Sequence, residues 1–248
     1  MTVVVRPAAP SDRPRLAAIA AEGDSEVDPE YLEFIAEQGR LLVAESLGEV
    51  VAFGGMVPVP LADGRAAAMV TDLFVAVSGR GRGVGGGLLD QLLDGWPLRM
   101  TGSSKHPAAL PVYARAGMQQ RGKILYLEGV AVGGGPPLSP APWSHDRLEL
   151  VEYFANRGAL VTSDAVVHVG GDTAEVWRLQ HDDALSVMRE LLAALPAGMR
   201  VEACVHEQHP LADHLLAIGF RAFEHDLFCA SPSIEFPGAV SCVHAGLA

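Results

Sequence analysis

Residues 75–88 read Val-Ala-Val-Ser-Gly-Arg-Gly-Arg-Gly-Val-Gly-Gly-Gly-Leu, an apolar strand-like run that breaks into glycines before an apolar helical run begins. Such a junction leaves backbone amides uncovered at the start of a helix. Those N–H groups have no helical acceptor and sit at the positive end of the helix dipole. Phosphate binds at such places, and its close approach requires residues without a Cβ. Arg80 and Arg82 add charge-assisted donors. Three readings compete at this point. A P-loop lacks the Lys-Ser/Thr that should follow its glycines. The spacing Gly81-x-Gly83-x-x-Gly86 fits a dinucleotide fold, but that fold wants an acidic residue about 20 positions on, and the next strand instead ends in Ser103-Ser104-Lys105. The plain alternative is a flexible loop with solvated arginines.

The elements that must position this turn follow from patterning. Residues 2–6 are β-branched and strand-like. Ser11 or Asp12 caps a helix that stops at Gly23. Asp28 caps a second helix, with Pro29 at its first position and Gly39 at its end. Two strands joined by Leu47-Gly48-Glu49 come next, then a longer strand through Thr71–Val75. The glycine turn, a helix, a strand, a helix ending at Gly117 and a closing strand or hairpin complete a β-α-α-β-β-β-α-β-α-β order. Residues 129–143 are built from Gly, Pro, Ser and small residues, which favour neither helix nor ladder. The expected organisation is therefore 1–128, a linker over 129–144, and a second unit with its tail over 145–248.

The second unit reads as a worn copy of the first. A hairpin turn at Gly170-Gly171-Asp172 joins two strands, and Asp182 or Asp183 caps an amphipathic helix. The two helix-Gly-strand endings align with Gly117 over Gly219, which is evidence for an internal repeat but does not carry one by itself. Trp177, Phe220, Phe223 and Phe228 read as core. His168, His181, His206, His209, His214 and His225 show no metal-ligand spacing, so no metal is expected.

In the first unit, Arg80-x-x-Gly83-x-Gly85, preceded by Asp72-Leu73-Phe74-Val75, resembles the signature of the GNAT N-acetyltransferase superfamily. Tyr113, four residues before Gly117-Met118, resembles that family's second signature. The resemblance implies an α/β fold of two GNAT-like lobes, each a central mixed β-sheet flanked by helices, with the second lobe degenerate. It implies acetyl-CoA in a V between the fourth and fifth strands. Backbone of Leu73, Phe74 and Val75 would pair with the pantetheine arm. The diphosphate would rest on Arg80, Gly81, Arg82, Gly83, Val84, Gly85 and Gly86. Tyr113 would be the acid that protonates the departing thiolate, and the reaction would be direct acetyl transfer to the amine of a small molecule or peptide. The family's strand glutamate is replaced by Thr71, which cannot act as a base, and alternation puts Asp72 on the opposite face. Glu22, Asp24, Glu26 and Asp28 form an acidic cluster where the resemblance places the acceptor. His106 either contacts cofactor or is an exposed loop histidine. The second unit carries His181-Asp182-Asp183 in place of the glycine turn and Leu215 in place of Tyr113, so it is expected not to bind cofactor. A non-catalytic acyl-CoA-binding module is the rival function.

Whole-chain composition sets the remaining bounds. Of 248 residues, 49% are hydrophobic and 19% charged, enough for a substantial core. The formal net charge of -12 argues against nucleic-acid affinity, which needs a basic surface. Three cysteines are too few for a disulfide framework and read as reduced thiols. With no signal-like or membrane-spanning apolar run, a cytoplasmic protein is expected. The sequence is compatible with an oligomer.

Overall fold

The computed structural model describes residues 3–61, 63–234 and 240–243. The chain divides into two compact units: residues up to Gln120 together with Cys229–Ile234, and Arg121–Phe228 together with the strand at 240–243. This division differs from the partition at residue 128, because pairing partners distant in sequence decide where a strand is counted.

In the first unit, β1 (Val3–Pro7), β2 (Arg40–Ser46), β3 (Glu49–Pro60) and β4 (Ala66–Val75) pair successively antiparallel. β5 (Arg99–Ser103) then runs parallel to β4. The helices are α1 (Arg13–Ala21), α2 (Pro29–Gln38), α3 (Val84–Leu92) and α4 (Ala109–Arg115). Leu89, Leu92, Tyr113 and Ala116 pack with Met56, Ala68 and Val70, so α3 and α4 share one face of the sheet. α2 covers the other, where Ile35 approaches Gly55. Beyond β5 the first unit takes up a segment from far along the chain. Ser231 N donates to Arg99 O at 2.8 Å, and Arg99 N donates to Ser231 Oγ at 3.0 Å.

Asp28 caps α2 as expected, its carboxylate accepting from Glu30 N at 2.8 Å. Asp12 precedes α1 but makes no cap hydrogen bond to it. Its carboxylate instead accepts from Ala9 N at 2.7 Å and from Arg6 Nη1 at 2.7 Å, which holds it below the usual carboxylate range. Gly39 ends α2 because of a close approach: a Cβ there would lie 1.9 Å from Met56 O.

The second unit contains β6 (Gln119–Val130, from Arg121 on), α5 (Leu148–Asn156), β7 (Leu160–Val161), β8 (Ala165–Gly170) and β9 (Thr173–Gln180). α6 (Ala184–Ala194), β10 (Arg200–His206), α7 (Pro210–Ala217), β11 (Arg221–Ala230, to Phe228) and β12 (Val240–Val243) follow. Residues 119–130 form one strand. The run 159–169 is broken into β7 and β8 by a turn that Thr162 Oγ1 closes, accepting from Ala165 N at 2.9 Å. Met188, Leu191, Leu211, Leu215, Val176 and Val201 form the core of this unit. Phe220 and Phe228 are buried and Trp177 is half-buried, whereas Phe223 is 52% exposed and does not belong to the core.

Both α4 and α7 end in the same way. Gly117 and Gly219 take positive φ, Met118 N donates to Tyr113 O, and Phe220 N donates to Leu215 O. These are Schellman closures, which need a residue tolerant of the left-handed region.

Candidate active site

β4 and β5 pair only over Ala68–Val70 and Arg99–Thr101. Past that point they part, and Thr101 Oγ1 donates to Val70 O at 3.0 Å at the base of the fork. Leu73, Phe74 and Val75 therefore lie on β4 beyond its last pair with β5. Their other edge stays paired to β3, with Leu73 opposite Gly54, Phe74 opposite Phe53 and Val75 opposite Ala52. Phe74 is held by a stacked contact with Phe53, ring centroids 5.2 Å apart.

The glycine turn follows at the end of β4. Gly81 and Gly83 adopt φ of +72 and +76, and a Cβ on Gly81, Gly83, Gly86 or Gly87 would meet nothing within 4 Å. The first turn of α3 is bonded by Gly87 N to Gly83 O at 3.0 Å. The amides of Val84, Gly85 and Gly86 have no acceptor within the helix, which is the arrangement a diphosphate fits. Gly85 is tighter, since its Cβ would lie 3.1 Å from Val75 Cγ2.

Arg80 serves the turn itself. Its Nε donates to Val75 O at 3.0 Å and its Nη2 to Glu22 O at 3.4 Å, so the guanidinium ties the end of β4 to the segment after α1. Glu22 reinforces this tie by accepting from Val77 N at 2.6 Å. Two members of the acidic cluster, Glu22 and Asp28, thus have structural hydrogen bonds. His106 is exposed and its Nδ1 accepts from Ala108 N at 3.2 Å, ahead of α4. Tyr113 is buried on α4 among the residues that pack beside the fork.

Simple alternation misplaced Asp72. Opposite Gly55 and Met56, β4 presents Asp72 and Val70, which leaves Thr71 as an extra, bulged residue. A bulge shifts the alternation by one. Thr71 Oγ1 and Asp72 Oδ2 consequently converge on the same place, 2.5 and 3.2 Å from where a Cβ on Gly55 would sit, beside Ile35 of α2. Asp72 thus shares a face with Thr71, contrary to the expectation of opposite faces. Asp72 is half-buried; burial pushes its pKa up, partly opposed by Tyr31 OH, which donates to Oδ2 at 2.8 Å. Perturbed carboxyl pKa values cluster at functional sites. The one signal available beforehand was that bulges recur beside active sites.

Comparisons with known proteins bear on the fold that carries this site. Residues 11–118 match the model of the Acetyltransferase (GNAT) family. A provisionally assigned acetyltransferase from Pyrococcus horikoshii is similar in fold, with TM-score 0.72 and 16% identity, over 99% of this chain and 95% of that one. A GCN5-related N-acetyltransferase from Kribbella flavida gives TM-score 0.58 and 14% identity, over 98% and 83%. One from Anabaena variabilis gives 0.59 and 15%, over 92% and 72%. No curated protein matches the sequence. That family match covers less than half of the chain, and these solved structures, all under 25% identical, show likeness of fold. Among the described residues there is no group of side chains suited to a metal, and no helix is long and apolar enough to cross a membrane.

Proposed function

We propose that the first unit is an acetyl-CoA-dependent N-acetyltransferase acting on a small-molecule or peptide amine. The observation that carries this reading is the fork: β4 loses β5 after Val70 just before the chain enters a turn of uncovered amides. An extended pantetheine arm fits the edge of Leu73–Val75 that β5 leaves, apart from Val75 O, which Arg80 Nε already occupies, as a ligand adds to a free strand edge. The amides from Gly81 to Gly86 hold the diphosphate, with Arg82 at the exposed rim and Arg80 keeping the turn in place. Acetyl-CoA supplies the thioester carbonyl that the amine attacks.

The chain's own groups divide the proton transfers. The attacking nitrogen must lose a proton, and Asp72, on the α2 face, takes it. The sulfur must gain one when the C–S bond breaks, and Tyr113, packed on the α3/α4 face, gives it. Base and acid on opposite faces of one strand suit a reaction in which the nucleophile enters from one side of the fork and the thiolate leaves on the other. The case for a non-catalytic acyl-CoA-binding module rested on Thr71 standing where a base should be; Asp72 on the same face supplies the missing group. The second unit is read as a degenerate repeat that binds no cofactor and adds no catalytic group. The working location is the cytoplasm.

The test is a titration with acetyl-CoA followed by thiol release in the presence of an amine panel. Acetyl-CoA should stabilise the protein and an amine should release CoA; absence of both effects overturns the reading.

A further inference from the structure

The second unit repeats the fork and fills it. β9 pairs in parallel with β10 over Thr173–Val176 and Arg200–Ala203, as β4 does with β5. Val166 and Val167 of β8 face Arg178 and Val176, so Trp177 is a bulged residue, the counterpart of Thr71. Past the bulge, β12 enters between the two strands. Val243, Cys242 and Val240 pair antiparallel with Arg178, Leu179 and Gln180, and Cys242 pairs with Val205 of β10. These β9 residues hold the places of Asp72, Leu73 and Phe74 in β4.

We propose that the β9–β10 fork is a strand-binding groove whose ligand class is an extended peptide, met here in cis by residues 240–243. The comparison of the two forks rests on the acyl-CoA reading given above; the strand groove itself does not. Three observations separate this fork from a cofactor site. The amides that lead into α6 are already taken, Asp183 N donating to His181 Nδ1 at 2.9 Å and Ser186 N to Asp183 Oδ1 at 3.1 Å. The carboxylates of Asp182 and Asp183 repel a diphosphate, where the first unit offers glycines. The position of Asp72 is held by Arg178, which is 2% exposed and donates from Nε and Nη2 to Gln180 Oε1. A strand satisfies the free edges of β9 and β10 by its own backbone and needs no anion site.

The experiment is hydrogen exchange on the full chain, on Cys242→Pro, which keeps the length but removes one ladder N–H, and on a chain shortened to end at Ile234. Amides of 178–180 and 205 should be protected in the full chain and should exchange about ten-fold faster in both variants, while α5 and α6 keep their protection. A synthetic peptide of residues 235–248, added at millimolar concentration to the shortened chain, should restore the protection, and acetyl-CoA should not. Unchanged exchange in both variants, loss spread equally over α5 and α6, or failure of the peptide to restore protection overturns the proposal. So does a second equivalent of acetyl-CoA bound by the shortened chain, because β12 would then be covering a live cofactor site. If acetyl-CoA binds nowhere, the reading of the first fork fails, while the exchange result at β9 still decides this one.

Discussion

At the residue scale the proposed chemistry depends on Asp72 and Tyr113. Burial raises the Asp72 pKa above its ordinary value of 3.8, so the folded chain holds that proton more tightly than the unfolded chain does. The stability this gives is present below the unfolded value and is lost as pH rises through the folded one. Asp72→Asn keeps an acceptor for Tyr31 and removes the charge. It should make the protein more resistant to urea at neutral pH than the parent, lower turnover by about 100-fold and abolish the acid limb of the rate profile. Unchanged turnover with every accepted amine would remove Asp72 from the mechanism. Tyr113→Phe should lower turnover by a similar factor, about 100-fold, with acetyl-CoA affinity unchanged by calorimetry. In the turn, Gly85→Asp brings a Cβ to 3.1 Å from Val75 Cγ2 and a negative charge against the diphosphate, so acetyl-CoA binding should be lost.

At the element scale, helix ends and close approaches decide what the sequence tolerates. Gly39→Ala should cost about 3 kcal/mol in urea unfolding, because its methyl would fall 1.9 Å from a backbone oxygen that has no rotamer to give way. Asp183→Ala removes the cap of α6 and should cost about 1 kcal/mol, yet leave acetyl-CoA affinity as it was. A fall in affinity there would place cofactor in the second unit. Much of this was legible beforehand: the cap Asp28, the Asp182-Asp183 pair of which Asp183 caps α6, the stop at Gly39 and the paired helix endings at Gly117 and Gly219 are written in short windows of sequence. Asp12, one of the two expected cap residues, stands at the N-cap of α1 but makes no capping bond, because its carboxylate has partners in Arg6 and Ala9. Local propensity does not register such competition.

At the scale of the whole molecule, one bound acetyl-CoA at 100 times its Kd should add about 2.7 kcal/mol to stability, seen as a rise in Tm. Calorimetry should give one equivalent per chain; two equivalents would mean that both forks are open.

The sequence by itself determined the uncovered turn, since only glycines leave amides bare and only a helix start aims them at a phosphate. It also carried the resemblance to the GNAT superfamily, through Arg80-x-x-Gly83-x-Gly85 and Tyr113, and that family's model matches residues 11–118. The tertiary structure decided which face Asp72 occupies, because one bulged residue reverses the alternation and a bulge is defined by the partner strand. It also decided that residues 229–234 count with the first unit and that 240–243 close the second fork. Those outcomes depend on pairing between segments far apart in the chain, which no short window of sequence specifies.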